Sequence, residues 1–166
     1  MVFALIIPTK RLMLNSFSCL AMLSMMLTPL KAQEPRQNQT SSTDLLQSGQ
    51  EKIQDQDYRG AILDLSQSIL LDPEIADSYF YRGLVRAELE DQLGAISDFD
   101  DAILRNPRHG LAYYHRAGVF FNLGNQSEAI LDLQLAAQLF LAQGNTDAYQ
   151  KTETLLKHFG VELPSS

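Results

Sequence analysis

An all-α solenoid of stacked helical hairpins is predicted by three features of this 166-residue chain. First, one block recurs at a spacing of 34 residues. Ala61-Ile62, Ala95-Ile96 and Ala129-Ile130 open it, and Asp64-Leu65, Asp98-Phe99 and Asp132-Leu133 follow at the same offset. Second, apolar residues recur at helical spacing from Thr43 onward, and no stretch alternates strictly as a strand would. Third, turn residues interrupt that pattern at regular intervals. A period of this length marks two-helix units that bury their apolar faces only against neighbouring units. Such an architecture offers a groove for another molecule, so function is sought on one surface.

The turns define the elements. Asp57, Asp91-Gln92 and Gly124-Asn125 mark turns inside the units, and Asp72-Pro73 and Asn106-Pro107 mark turns between them. The residue before a proline is pushed out of the α region, so helices end there. Helices are expected over 43–56, 58–71, 75–90, 93–105, 109–123 and 126–142, with a seventh over 146–159 after Gly144-Asn145. Three hairpins alone would leave the last one with an exposed apolar face. The seventh helix answers this with a stripe of Ala148, Tyr149, Leu155, Leu156 and Phe159, and reads as a cap.

The lattice positions resemble the tetratricopeptide repeat (TPR) family. Residues 76–109 fit its pattern best, with Tyr79, Gly83, Ala95, Phe99, Ala102 and Pro107 in the aromatic, small and proline places. Residues 110–143 supply Tyr113, Ala117, Phe120, Gly124, Ala129, Leu133 and Ala136, but carry Leu141 where proline is expected, so the second helix should run on. Residues 42–75 fit at Leu45, Gly49, Tyr58, Ala61, Leu65 and Pro73, and depart at Lys52 and Ser68. The resemblance implies a right-handed solenoid of three units plus the capping helix, one domain over 43–160. Small residues at Gly83, Ala117, Ala95, Ala129, Ala102 and Ala136 suit close helix approach, and Tyr79, Tyr113, Phe99 and Phe120 suit the gaps opposite. All of these are read as packing residues.

A polar pairing is expected inside the same lattice. Asp98 should pair with Arg82 and Asp132 with Arg116 across each hairpin, because a guanidinium fork suits bidentate contact with a carboxylate. Asp64 has Ser48 where the other units have arginine, so it is expected to reach Arg82 instead.

Composition differs sharply along the chain. All five Met and the single Cys, Cys19, lie within residues 1–32, and no acidic residue precedes Glu34. Lys10-Arg11, an uncharged apolar run from Leu12 to Leu27 and the small Ala32 read as an export signal over 1–32, with residues 33–42 a polar linker. The expected location is periplasmic or otherwise extracytoplasmic. Residues 12–30 are also long enough to serve as an uncleaved membrane anchor. Without residues 1–32 the chain keeps 10 basic and 20 acidic residues, a net charge of −10. That charge disfavours nucleic acid and anionic membrane surfaces, so the membrane is expected to be met only through an uncleaved N-terminus.

No catalytic constellation, metal site or cofactor site is expected. His109, His115 and His158 lie away from any cysteine and lack ligand spacing. Asp98, Asp100 and Asp101 spread over different faces of one helix, and no calcium-binding loop accompanies them. The resemblance instead implies an inner wall built from the first helix of each unit. The inward positions are Thr43, Leu46, Gln50 and Ile53, then Asp77, Phe80, Leu84 and Ala87, then Leu111, Tyr114, Gly118 and Phe121, flanked by Tyr81, Glu88, His115 and Asn122. The partner-binding candidates are Leu46, Gln50, Phe80, Tyr81, Leu84, Tyr114, His115 and Phe121, with Phe80, Leu84, Tyr114 and Phe121 forming an apolar patch. Relatives that grip a carboxylate terminus use Lys and Asn in this wall. Here the matching places hold Leu46, Gln50, Tyr81, Leu111 and His115, so that clamp is missing. The expected activity is non-catalytic binding of an apolar peptide segment or amphipathic helix of another protein. The alternative is a homodimer whose groove is self-occupied.

Overall fold

The computed structural model describes residues 41–161. The expected export segment and nearly all of the linker lie outside the described residues. The described chain forms seven helices and no strand: α1 (Ser42–Gln54), α2 (Tyr58–Leu71), α3 (Ala76–Glu88), α4 (Gln92–Arg105), α5 (Gly110–Asn122), α6 (Gln126–Ala142) and α7 (Thr146–His158). No helix among the described residues is long and apolar enough to cross a membrane.

Helix starts follow from capping chemistry. Ser41 caps α1 in a capping box with Asp44, each side chain bonding the other's backbone N–H. Asp57 and Asp91 cap α2 and α4, accepting from the N–H groups of Gly60 and Gly94 at 3.0 Å. Asn145 caps α7 by accepting from Ala148. At α5 the cap is His109, whose Nδ1 accepts from Ala112. Pro73 and Pro107 lie just past α2 and α4, whereas α6, without a proline, runs to 17 residues against 14 in each of those helices.

Each hairpin pairs its two helices most extensively, and each unit then packs on the next (α2 on α3, α4 on α5, α6 on α7). The first helices also approach one another, α1 to α3 and α3 to α5, while the second helices do not come together to that degree. The stack therefore has an inner wall of α1, α3 and α5 and an outer wall of α2, α4 and α6. The expected small residues sit at the closest approaches. Ala95, Ala102, Ala129 and Ala136 are fully buried, and Ala117 is nearly so. At Gly83 a methyl group would stand 2.8 Å from the Phe99 ring, so any larger residue overpacks the site.

The capping helix packs the expected Tyr149, Leu156 and Phe159 but buries Thr152 in place of Leu155. Thr152 and Leu156 are fully buried, and Tyr149 and Phe159 pack beside them, whereas Leu155 is exposed. Residues 149, 152, 156 and 159 follow the helical period more closely than a stripe through 155. Thr152 enters an apolar layer at no polar cost because its hydroxyl donates to the Ala148 carbonyl at 2.7 Å.

The cross-hairpin pairs form as expected. Arg82 holds Asp98 bidentately, Nε to Oδ2 at 2.9 Å and Nη2 to Oδ1 at 2.6 Å. Arg116 holds Asp132 in the same way at 2.7 Å for both bonds. The third arm of each fork reaches back to the preceding unit, Arg82 to Ser66 and Arg116 to Asp100. Burial works against the charge on Arg116, but these two carboxylates raise its pKa above the ordinary guanidinium value. Asp64 departs from expectation. It stays within its own hairpin, accepting from Ser48 Oγ and Lys52 Nζ, both at 2.6 Å. Ser48 is too short to fill the arginine's place alone, and Lys52, one turn later on the same face, supplies the charge.

Asp98 is almost wholly enclosed and also meets Arg86 Nη1 at 3.0 Å, so removing the aspartate strands two guanidinium groups, whereas removing Arg82 leaves Asp98 one cation. Asp98→Ala should cost about 3 kcal/mol in urea unfolding. The Asp98→Ala/Arg82→Ala double variant should lose less than the sum of the singles by about 1–2 kcal/mol. Additive losses would mean that the pair contributes nothing.

Candidate functional site

The inner wall carries an aromatic row. Phe80 on α3 contacts Tyr81 beside it, Phe99 on α4, and His109 and His115 from α5, with ring centroids 4.7 Å from His109 and 5.7 Å from His115. His115 also meets Tyr114 edge-on, and Tyr114 leans on Phe140 of α6. This row corrects the expected patch. Phe80 is only 4% exposed, so it is core and presents no docking surface. His109, at the cap of α5, and His115, on α5 itself, close over it. Leu84 and Tyr81 are half-buried against the same core, and Leu46 packs beside the first unit's core.

His109 holds this arrangement in register. Its Nδ1 accepts the Ala112 N–H at 3.2 Å, so the ring proton resides on Nε2, which donates to Asp77 Oδ1 at 3.0 Å. One side chain thus caps α5 and ties it to the first turn of α3. The bond from His109 holds the Asp77 carboxyl below its usual range, against the opposing effect of burial. Sequence spacing alone hides this link, because Asp77 and His109 are 32 residues apart on different elements.

Among the described residues, the accessible clefts along the wall include three that take in expected site residues. Thr43, Leu46 and Gln50 line the first, on α1, with Gln47, Glu51 and Gln54. The second, about 800 Å³, lies between the end of α3 and α5, lined by Ala87, Glu88, Glu90, Gln92, His115, Gly118, Val119, Phe121 and Asn122. The third, about 480 Å³, is formed by Tyr114 with Asp147, Gln150, Lys151, Thr154 and the exposed Leu155 of α7. The structure thus places His115 and Phe121 in one cleft and Tyr114 in another. Leu46 and Gln50 line a third region apart from both. Ala87, Glu88 and Glu90 belong to the second cleft. Glu90 carries no sequence signal for this, because it lies in the turn after α3 and not on the inner helix face.

The second cleft is open in a specific way. A methyl group at Gly118, in the middle of α5, would meet nothing within 4 Å, and Phe121 three residues on is 54% exposed, with the Phe159 ring edge-on to it. Among the described residues no group of three or more His, Cys, Asp or Glu is placed to hold a metal ion.

A sequence profile described as tetratricopeptide repeat matches residues 46–105 and again 93–148. The chain belongs to the tetratricopeptide repeat family. No curated protein matches it in sequence. Among solved structures it is similar to the TPR2B domain of yeast Sti1 in a pHsp70 complex, with 22% identity and a TM-score of 0.59 over 69% of this chain and 97% of that one. It is also similar to the first TPR of Spaghetti (RPAP3) bound to the HSP90 peptide SRMEEVD, with 22% identity and a TM-score of 0.60 over 71% and 94%. The Yersinia enterocolitica type III secretion translocator chaperone SycD is similar at 17% identity and a TM-score of 0.66 over 70% and 88%. At these identities the likeness is one of fold.

Burial, and secondarily the nearby His109, lowers the His115 pKa below its usual value. The unfolded chain therefore binds that proton more tightly. The stability this neutral histidine contributes is complete above about pH 6.5 and is lost as pH falls through the lower folded-state value. The urea midpoint should drop between about pH 7.5 and pH 5.5, and His115→Gln should flatten that slope. An unchanged slope in the variant would remove His115 as its source.

Proposed function

We propose that this tetratricopeptide protein is a non-catalytic scaffold that holds a segment of another protein, extended or as an amphipathic helix, along its inner wall. The observation that carries this reading is the cleft between α3 and α5, where Gly118 leaves open space and Phe121 stands mostly uncovered. A glycine inside a helix costs about 1 kcal/mol relative to alanine, and here no packing contact requires it. An occupant that needs the room supplies a reason. The similar solved structures of this fold in complex with pHsp70 and with the HSP90 peptide support the reading. The centre of the site moves from the expected Phe80 to Phe121, His115, Gly118 and Ala87, because those are the accessible residues. We also infer that residues 1–32 export the scaffold from the cytoplasm. A mature N-terminus at Gln33 on sequencing is the expected result, and an intact Met1 would favour an anchor at 12–30.

A photo-crosslinking residue placed at Gly118 should capture a partner in the native compartment, while one at Ser97 on the outer wall should not. Gly118→Arg should leave the unfolding temperature unchanged or higher and abolish crosslinking from a probe at Phe121. Capture from Ser97 alone would move the binding surface to the outer wall.

A second reading has its own observation. The outer wall exposes Leu63 and Leu70 on α2, Leu93 and Leu104 on α4, and Leu131 on α6; Leu70 and Leu104 hold equivalent places in successive units, and Leu63 and Leu131 hold equivalent places in the first and third units, with Ser97 between them. At roughly 100 Å² for each leucine, these five offer about 500 Å² per copy, below the roughly 800 Å² per partner of a standard interface. That area suits weak self-association of two copies through the outer wall, which leaves the groove free. Sizing should show a dimer only at high concentration, and Leu70→Glu/Leu104→Glu should abolish it; a monomer throughout would remove this reading.

A further inference from the structure

The charges of the stack are sorted. Among the described residues, the cations Lys52, Arg82, Arg86, Arg105, Arg116 and Lys157 are held in ion pairs with the chain's own carboxylates. Four of these, Lys52, Arg82, Arg86 and Arg116, lie between the two walls, bound to aspartates of the second helices. The acids along the clefts have no such partner. Glu88 and Glu90 are exposed in the second cleft and Asp147 in the third, and none of them forms an ion pair with a described residue. Lys151 is the one cation lining any of the three clefts described above. His115 adds no charge at neutral pH, since burial keeps it in the neutral form.

Glu90 carries a further mark. Its φ is 63°, in the left-handed region that disfavours a side chain, at the position that corresponds to Gly124 (φ 82°) in the next unit and to Gln56 (φ 62°) in the one before. Gly124 shows that glycine makes this turn without strain. A glutamate held there against backbone preference places a carboxylate at the mouth of the second cleft. Gln56 holds the same conformation outside the second cleft, so the left-handed turn belongs to the repeat, and what is particular to Glu90 is the charge it sets there.

We infer that the segment received between α3 and α5 is cationic, with an apolar side chain seated over Gly118 and against Phe121 and flanking Lys or Arg residues set against Glu88 and Glu90. The inference rests on the groove reading above and gives it a partner chemistry. It is the reverse of an acidic tail such as SRMEEVD, which Glu88 and Glu90 would repel. The unpaired carboxylates steer a basic segment toward the cleft, and this attraction weakens with salt because both glutamates are exposed.

The test is a selection from a random displayed peptide library on the full chain, keeping clones that bind it and fail to bind the Gly118→Arg variant. Lys and Arg should outnumber Asp and Glu severalfold in those clones. The Glu88→Gln/Glu90→Gly variant should bind the best clone about tenfold more weakly. Its unfolding temperature should not fall, since the glycine relieves the turn, so lost binding cannot be lost folding. Clones that depend on Gly118 but show no basic bias would overturn the cationic partner and leave the groove reading standing. A selection in which no clone depends on Gly118 would overturn both. In protein found to keep Met1, a carbodiimide crosslink within one chain from Glu88 or Glu90 to Lys10 or Lys31 would give the cleft to the chain's own N-terminal segment and overturn a partner protein as occupant.

Discussion

Two arginines set the geometry of the stack. Each of Arg82 and Arg116 closes its own hairpin through a bidentate aspartate and reaches back with its remaining arm to the second helix of the preceding unit. A guanidinium has fixed donor directions, so satisfying three acceptors at once leaves little freedom in how one unit sits on the next. Apolar packing makes units adhere but permits sliding, because one leucine surface resembles another. The arginine forks remove that freedom, and the buried Asp98 and Asp132 make any other register costly.

The same pairs shape the outer chemistry. By drawing cations into the space between the walls, they leave the second cleft to unpaired acids and neutral side chains. The groove character therefore follows from what the interior consumes. His109 does comparable work nearer the surface, capping α5, bonding Asp77 and roofing Phe80. With Phe80 enclosed, the accessible part of α3 and α5 lies toward their C-terminal halves, where Gly118 and Phe121 leave space.

Much of this was legible in the residues. The recurring Ala–Ile and Asp–Leu blocks, the Asp–Pro and Asn–Pro turns and the small residues at fixed offsets announce paired helices, and all seven helices form within a few residues of expectation. The pairings of Asp98 with Arg82 and Asp132 with Arg116 were legible too, because equivalent positions on two helices of a hairpin face each other. Three details were not. Asp64 takes Lys52 where Arg82 was expected, since a lysine one turn on reaches as far as an arginine in register. Thr152 replaces Leu155 in the cap because its hydroxyl is satisfied by its own helix. Phe80 is buried because His109, at the junction with the next unit, and His115 of that unit fold over it.

The sequence by itself determined the architecture: period, helix ends, close-approach residues and the cross-hairpin ion pairs are local or repeat with the lattice, so one unit contains the information. Tertiary structure alone decided which inward-facing residues stay accessible. Accessibility depends on the rings and turns that neighbouring units bring across the wall, and those residues break the repeat. Phe80 and Phe121 both lie on the inner face of a first helix, yet one is sealed by His109 and His115 while the other faces open space. Their difference arises from the units beside them.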